Sequence, residues 1–206
     1  MQLRCAGSFW KGLAGVRCDA RIQLLISGRG TKESYEEQGE LQLTDYGISG
    51  IPVFQLSRFA AAALDAGRQV KASIDFLPGF RDNEALWQEL VEEKCTSCRQ
   101  RSMEVLFGGL VNKKIIQTAV KLCGLSMGDR AERKNLPAIR RVFALLRSFE
   151  VQVTDTNPFA NAQVCAGGVP LTEVDGHLES RICPGLYLAG ELLDCLLYTS
   201  DAADEE

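Results

Sequence analysis

The chain has 206 residues, 46% of them hydrophobic and 24% charged, with a formal net charge of −4. That length suits one substantial core or two small ones, and no stretch of the roughly eighteen consecutive apolar residues that a bilayer-spanning helix needs is present. The mild acidity excludes a global attraction to nucleic acid or anionic membrane, and Lys11 breaks up any signal-peptide core in MQLRCAGSFWKGLAGV, so a cytoplasmic location is expected.

In chain order, VRCDARIQLLIS at 16–27 alternates as a strand, Gly28-Arg-Gly30 turns it, and a return strand from Ser34 to Thr44 completes an antiparallel hairpin. DYGISGIP follows at 45–52, where two glycines flank Ser49 and Pro52 precedes the helical pattern VFQLSRFAAAAL. The spacing predicts a helix with Ser49 as its N-cap and Pro52 in the first turn. A glycine-bordered helix start exposes backbone N–H groups that could take an anion or a polarised carbonyl, so Gly47, Ser49 and Gly50 form a candidate ligand-side turn; a plain strand-to-helix turn is the alternative. QVKASIDFLPG then reads as a third strand ending at Pro78-Gly79.

From Arg81 the period becomes helical. Asp82 or Asn83 caps a helix with Leu86, Trp87, Leu90 and Val91 inward. A cysteine-containing break, the segment SMEVLFGGL, and a helix from Asn112 come next. In that helix Ile115, Ile116, Ala119, Val120, Leu122 and Cys123 share a face, and Gly124 ends it. Pro137 opens a last helix with Ile139, Val142, Phe143, Leu145 and Leu146 inward, after which Glu150–Thr154 resumes as strand. Arg99–Arg147 holds eleven Lys/Arg against three Asp/Glu, which reads either as a solvated helix surface or as a face for phosphate groups. No aromatic ladder of the kind that stacks bases accompanies it.

The eight cysteines are scattered through a chain with enough apolar residues for a core, so they read as reduced thiols rather than a disulfide framework. Cys95-Thr-Ser-Cys98 could be half of a zinc site or a redox pair. With His177 as the sole histidine and no second CxxC, a break between helices is the simpler reading, and no metal is expected. His177, in Asp175-Gly-His177, reads as an exposed hairpin residue.

The segment Asn157–Asp194 is glycine-punctuated, reads as several short strands, and ends in GLYLAGELLD. FEVQVTDTNPFANAQVCAGGVPLTEVD with LESRICPGLYLAGELLD, together with the earlier GELQLTDYGISGIPVFQLS, resembles the HI0933-like (YhiN-type) NAD(P)/FAD-dependent oxidoreductases over residues 3–194. The resemblance implies an α+β chain: an antiparallel β-barrel-like domain with an inserted helical subdomain, plus a short returning piece of a Rossmann-like FAD domain. It implies barrel sequence at 1–79 and 149–169, the helical insertion at 80–148, and the FAD-domain piece at 170–194. It also implies cofactor-binding positions at Gly190 and Glu191, the acid accepting hydrogen bonds from ribityl hydroxyls, with Asp194 nearby, and at Ala166, Gly167 and Gly168 near the isoalloxazine, and it puts the Gly47–Ser49–Gly50 turn on the substrate or flavin side.

No GxGxxG turn follows a strand and opens a helix, so the amino-terminal FAD half is expected to be missing, and CLLYTSDAADEE at 195–206 to be an unstructured, non-native tail. Asp45 stands where family members tend to show histidine, and Cys165 where they show a hydroxyl residue, so no catalytic residue is assigned. The expectation is a fragment of a flavin-dependent oxidoreductase that supplies the cap over the flavin. Its parent would pass hydride between FAD and a small molecule or NAD(P)H, while the fragment binds FAD weakly and has no turnover. The alternative is a non-enzymatic module using the basic helices at 99–147 for nucleic acid or a phosphorylated partner, nucleic acid being the less favoured of the two. No membrane partner is expected.

Overall fold

The computed structural model describes residues 1–28, 30–97, 100–158 and 167–194, and the chain divides into two compact units, 1–159 and 160–206. The first unit is built on six strands: β1 (Leu3–Cys5), β2 (Arg17–Gly28), β3 (Thr31–Leu43), β4 (Gly47–Gly50), β5 (Gln69–Asp75) and β6 (Phe149–Thr156). They close a barrel in the order β1-β4-β3-β2-β5-β6, and every neighbouring pair is antiparallel. Period-2 alternation does the work. Ala20, Ile22, Leu24 and Ile26 on β2 point inward with Val70, Ala72 and Ile74 on β5 and Val151 and Val153 on β6, and all are buried. The hairpin that the sequence predicts is present: β2 and β3 run in unbroken register from Arg17↔Gln42 to Gly28↔Thr31, the return strand starting at Thr31 rather than Ser34.

Helix α2 (Ile51–Asp65) leaves β4 directly and lays Val53, Leu56, Ala60 and Ala63 against the barrel. Ser49 is not its cap. It is a strand residue paired with Gln42, 3% exposed, and the N-cap is Gly50 without a side-chain cap bond. The reason is geometric. Gly50 has φ +109, and a Cβ there would lie 2.3 Å from the Glu40 carbonyl oxygen, so strand pairing is kept until the helix begins and only glycine can make the corner.

Between β5 and β6 lie α3 (Glu84–Ser97), α4 (Met103–Phe107), α5 (Lys113–Leu122) and α6 (Leu136–Arg147); a short helix α1 (Trp10–Leu13) precedes β2. The N-terminus of α3 is held by Asn83, whose Oδ1 accepts from Leu86 N at 3.0 Å. Asn112 caps α5 through Lys114 N at 2.9 Å, and Leu125 N bonds Val120 O at 3.0 Å behind Gly124 to close it. Two expected inward residues turn outward: Leu86 on α3 and Leu122 on α5 are each about half exposed. At a rotation of 100° per residue the apolar stripe narrows, and Trp87 with Val91, and Ile116 with Val120, suffice to fill it.

The insertion is not a separate lobe. Phe80–Trp87, Trp87–Phe143 and Phe107–Phe143 ring contacts of 5.4, 5.7 and 4.8 Å knit the insertion, and a separate Phe76–Phe149 contact at 5.7 Å lies on the barrel side. The buried residues of barrel and insertion form one continuous cluster. At the junction Asp75, 3% exposed, accepts from Leu77 N at 2.9 Å and lies 3.3 Å from Arg21; Arg147, stacked over Trp87, pairs with Glu84 at 2.8 Å.

In the second unit, Val174 bridges Ser180 and Glu179 bridges Tyr187, both antiparallel, while Val169 bridges Leu193 in parallel. Of the several short strands expected in this segment, none forms over GLYLAGE. Tyr187 contributes one bridge, Gly190–Leu192 is a 3-10 turn, and Leu186 and Tyr187 are exposed, Tyr187 by 63%. Among the described residues of this unit no neighbouring segment extends the pairing, and an unpaired apolar run does not hold strand geometry. Residues 195–206, expected to be a tail, lie outside the described residues.

Candidate functional site

At the turn singled out in the sequence, Gly47 pairs with Arg4 and comes so close to β1 that a Cβ would sit 2.3 Å from Leu3 O. Barrel closure therefore gives glycine at 47 and at 50 a packing cause. The Ser49 hydroxyl forms no hydrogen bond among the described residues.

Beside this turn is a polar cluster that sequence reading missed. Tyr46 Oη donates to Gln2 Oε1 at 2.5 Å, and the Asn157 amide donates to the same oxygen and to Tyr46 Oη, the latter at 3.2 Å. Arg4 Nε donates to Asn157 Oδ1 at 3.1 Å, and its guanidinium carbon lies 5.5 Å from the centre of the Tyr46 ring. Asn157 is 7% exposed, and its backbone N–H bonds Gln2 O at 3.0 Å. The cluster exists because β1 pairs with both β4 and β6, bringing together residues separated by more than 150 positions. No local spacing announces it.

In the second unit the two glycine-containing motifs meet. Val169 N donates to Leu192 O at 2.7 Å and Asp194 N to Val169 O at 2.9 Å. A Cβ on Gly168 would lie 2.6 Å from Leu192 O, so Gly168 is the residue that permits the crossing. Gly167 (φ +99) and Gly190 (φ +70) have open space where a Cβ would be. Gly167, Gly168, Gly190, the backbone of Glu191, and Asp194 are thus gathered, while Ala166 lies outside the described residues. His177 is exposed in a turn where Asp175 Oδ1 accepts from His177 N at 2.8 Å and Glu179 N at 2.9 Å. The Glu179 and then the His177 backbone bonds hold the Asp175 carboxyl below the usual carboxylate range.

The remaining candidates separate. Cys95 is buried within α3 rather than in a break, because the helix runs on to Ser97; Cys98 and Cys165 lie outside the described residues. No grouping of three His, Cys, Asp or Glu side chains able to hold a metal occurs among the described residues. Burial pushes the Cys5 thiol up to about 12 and that of Cys18 to about 11, which keeps both protonated. Within the basic helical block, Lys113 pairs with Glu104 at 2.5 Å, Lys134 with Glu132 at 3.0 Å and Arg140 with Glu92 at 2.7 Å, so part of the charge is neutralised in place. No helix among the described residues is long and apolar enough to cross a membrane.

A closed six-stranded antiparallel barrel with a helical insertion between its last two strands defines the architectural class. The sequence family described as HI0933-like protein barrel and H2TH domain matches residues 1–164, and the chain belongs to it. It is also 39% identical over 182 residues to the 3-dehydro-bile acid delta(4,6)-reductase of Clostridium scindens. That alignment covers 88% of this chain and 43% of the relative, so the chain spans less than half of that protein's length.

Proposed function

We propose that this chain is the barrel-and-helical part of a cytoplasmic FAD-dependent oxidoreductase, acting with a dinucleotide-binding part that lies outside it. The observation that carries this reading is the 39% identity to a reductase, which extends through nearly all of the chain. In the reading, residues 1–79 and 149–169 are barrel, 80–148 the helical cap, and 170–194 a piece of the FAD-binding domain. FAD, when bound, supplies the hydride-transfer chemistry, and the protein supplies orientation and electrostatics.

The residues present fit such a group. Gly167 and Gly190 offer backbone with no side chain in the way, which a pyrophosphate or ribityl chain needs for close approach. The family resemblance assigns Glu191 to the ribityl hydroxyls with Asp194 nearby, and Gly168 keeps the two motifs in contact. The Gly47–Ser49–Gly50 turn is assigned to the flavin or substrate side. The parent's reaction is reduction of an unsaturated small molecule, with reducing equivalents from a nicotinamide. Expressing the chain joined to its strand–GxGxxG–helix partner segment tests this. A yellow protein with one FAD per chain, bleached anaerobically by NADH or NADPH, is expected; a colourless, well-folded protein contradicts it.

A further inference from the structure

We propose that Arg4 is a specificity-determining residue whose guanidinium grips an oxyanion on a small ligand. Arg4 is exposed at the centre of its strand, yet it is immobilised on two sides. Its Nε is spent on Asn157 Oδ1 at 3.1 Å, and its guanidinium carbon lies over the Tyr46 ring, 5.5 Å from the ring centre. Both supports are themselves fixed, Asn157 by burial and by Gln2, Tyr46 by its 2.5 Å bond to Gln2 Oε1.

An exposed arginine ordinarily pays rotamer entropy to bind an anion, and here that cost has already been met by the fold. What remains is the Nη1/Nη2 edge, the donor pair whose spacing matches a carboxylate or phosphate. That edge makes no hydrogen bond among the described residues, and Arg4 forms no ion pair among them. Asp155 faces it in the β1–β6 register but turns its Oδ1 to Thr156 N at 2.7 Å. A buried asparagine and a locked tyrosine holding a cation with its bidentate edge free form a receptor for an oxyanion. Barrel stability does not call for one, because the inward strand residues Ile22, Leu24, Val70, Ile74 and Val153 are apolar and buried without it.

The inference rests on the oxidoreductase reading only for the ligand's origin. The oxyanion is either the carboxylate of an acidic substrate or the 2′-phosphate that distinguishes NADPH from NADH as the nicotinamide donor. The test is chemical-shift titration of the chain, following the Arg4 Nε–Hε signal and, in both the chain and its Arg4→Gln variant, the backbone amides of Gly47 and Asn157 beside it, with four probes: a 3-oxo-steroid carboxylic acid, its methyl ester, NADPH and NADH. The acid is expected to move Arg4 and the ester not, with Arg4→Gln weakening acid binding about tenfold or more while leaving the dispersion of barrel signals intact. A response to NADPH that NADH does not reproduce, again lost in Arg4→Gln, would assign the oxyanion to the nicotinamide. Equal responses to acid and ester with no NADPH preference, no response to any probe, or responses that survive Arg4→Gln overturn the proposal. Flavin plays no part in the readout, so a failure here is distinct from a failure of the FAD reading.

Discussion

Gly50 concentrates at one residue the whole transition from strand to helix. Its φ of +109 and the 2.3 Å gap to Glu40 O leave no room for any side chain. Gly50→Ala is therefore expected to cost about 3 kcal/mol or more, from left-handed strain added to a backbone clash, read as a lowered urea midpoint at unchanged slope. Asp175 makes a subtler prediction in the other unit. Its folded pKa lies below the ordinary value, so its contribution to the turn is fully present at neutral pH and is lost as pH falls through the depressed folded value. Protection of the His177 and Glu179 amides from hydrogen exchange should fall on acidification through that range. In Asp175→Ala it should be low at every pH; protection independent of pH would contradict the assignment. Thiol reactivity follows burial in the same way. Exposed Cys183 should alkylate at neutral pH while Cys5, pushed up to about 12, stays unmodified until the barrel unfolds.

The elements divide by how local their causes are. Helix α5 was legible because Asn112, the 115/116/119/120 stripe and Gly124 all act within a few residues of one another. Asn112→Ala should lower stability by about 1 kcal/mol, seen as a reduced thermal midpoint, and Asn112→Ser should restore most of it. The β2–β3 hairpin was legible for the same reason, with alternation on either side of Gly28-Arg-Gly30. Ser49 misled because serine before a proline-bearing helix is also a good cap. Only the pairing of Ser49 with Gln42, fixed by barrel closure, decides otherwise. GLYLAGE misled in the opposite sense: its residues favour strand, but strand needs a partner, and Tyr187 finds a single bridge. Leu86 and Leu122 fit the helical period yet lie at the edge of stripes whose width is set by neighbouring helices.

Across the whole chain, cooperativity should be strongest within residues 1–159. The aromatic run from Trp87 and Phe107 through Phe143 joins the insertion to the core that continues under Phe76 and Phe149. Phe107→Ala, at a fully buried position, should cost about 3–5 kcal/mol and lower the melting of barrel and insertion together; an insertion melting alone would show two independent bodies. The Arg4–Tyr46–Asn157 cluster belongs to this scale as well, since only the closing of β6 onto β1 brings residue 157 to residue 2. The family, by contrast, was readable from short motifs because those residues carry it directly. The central claim is that the chain holds one side of a flavin site. Equilibrium titration with FAD, of the chain alone and of the chain joined to a strand–GxGxxG–helix segment, tests it most directly. Weak or no binding alone and tight stoichiometric binding when joined is the expected result; tight binding by the chain alone, or none by the joined protein, would contradict it.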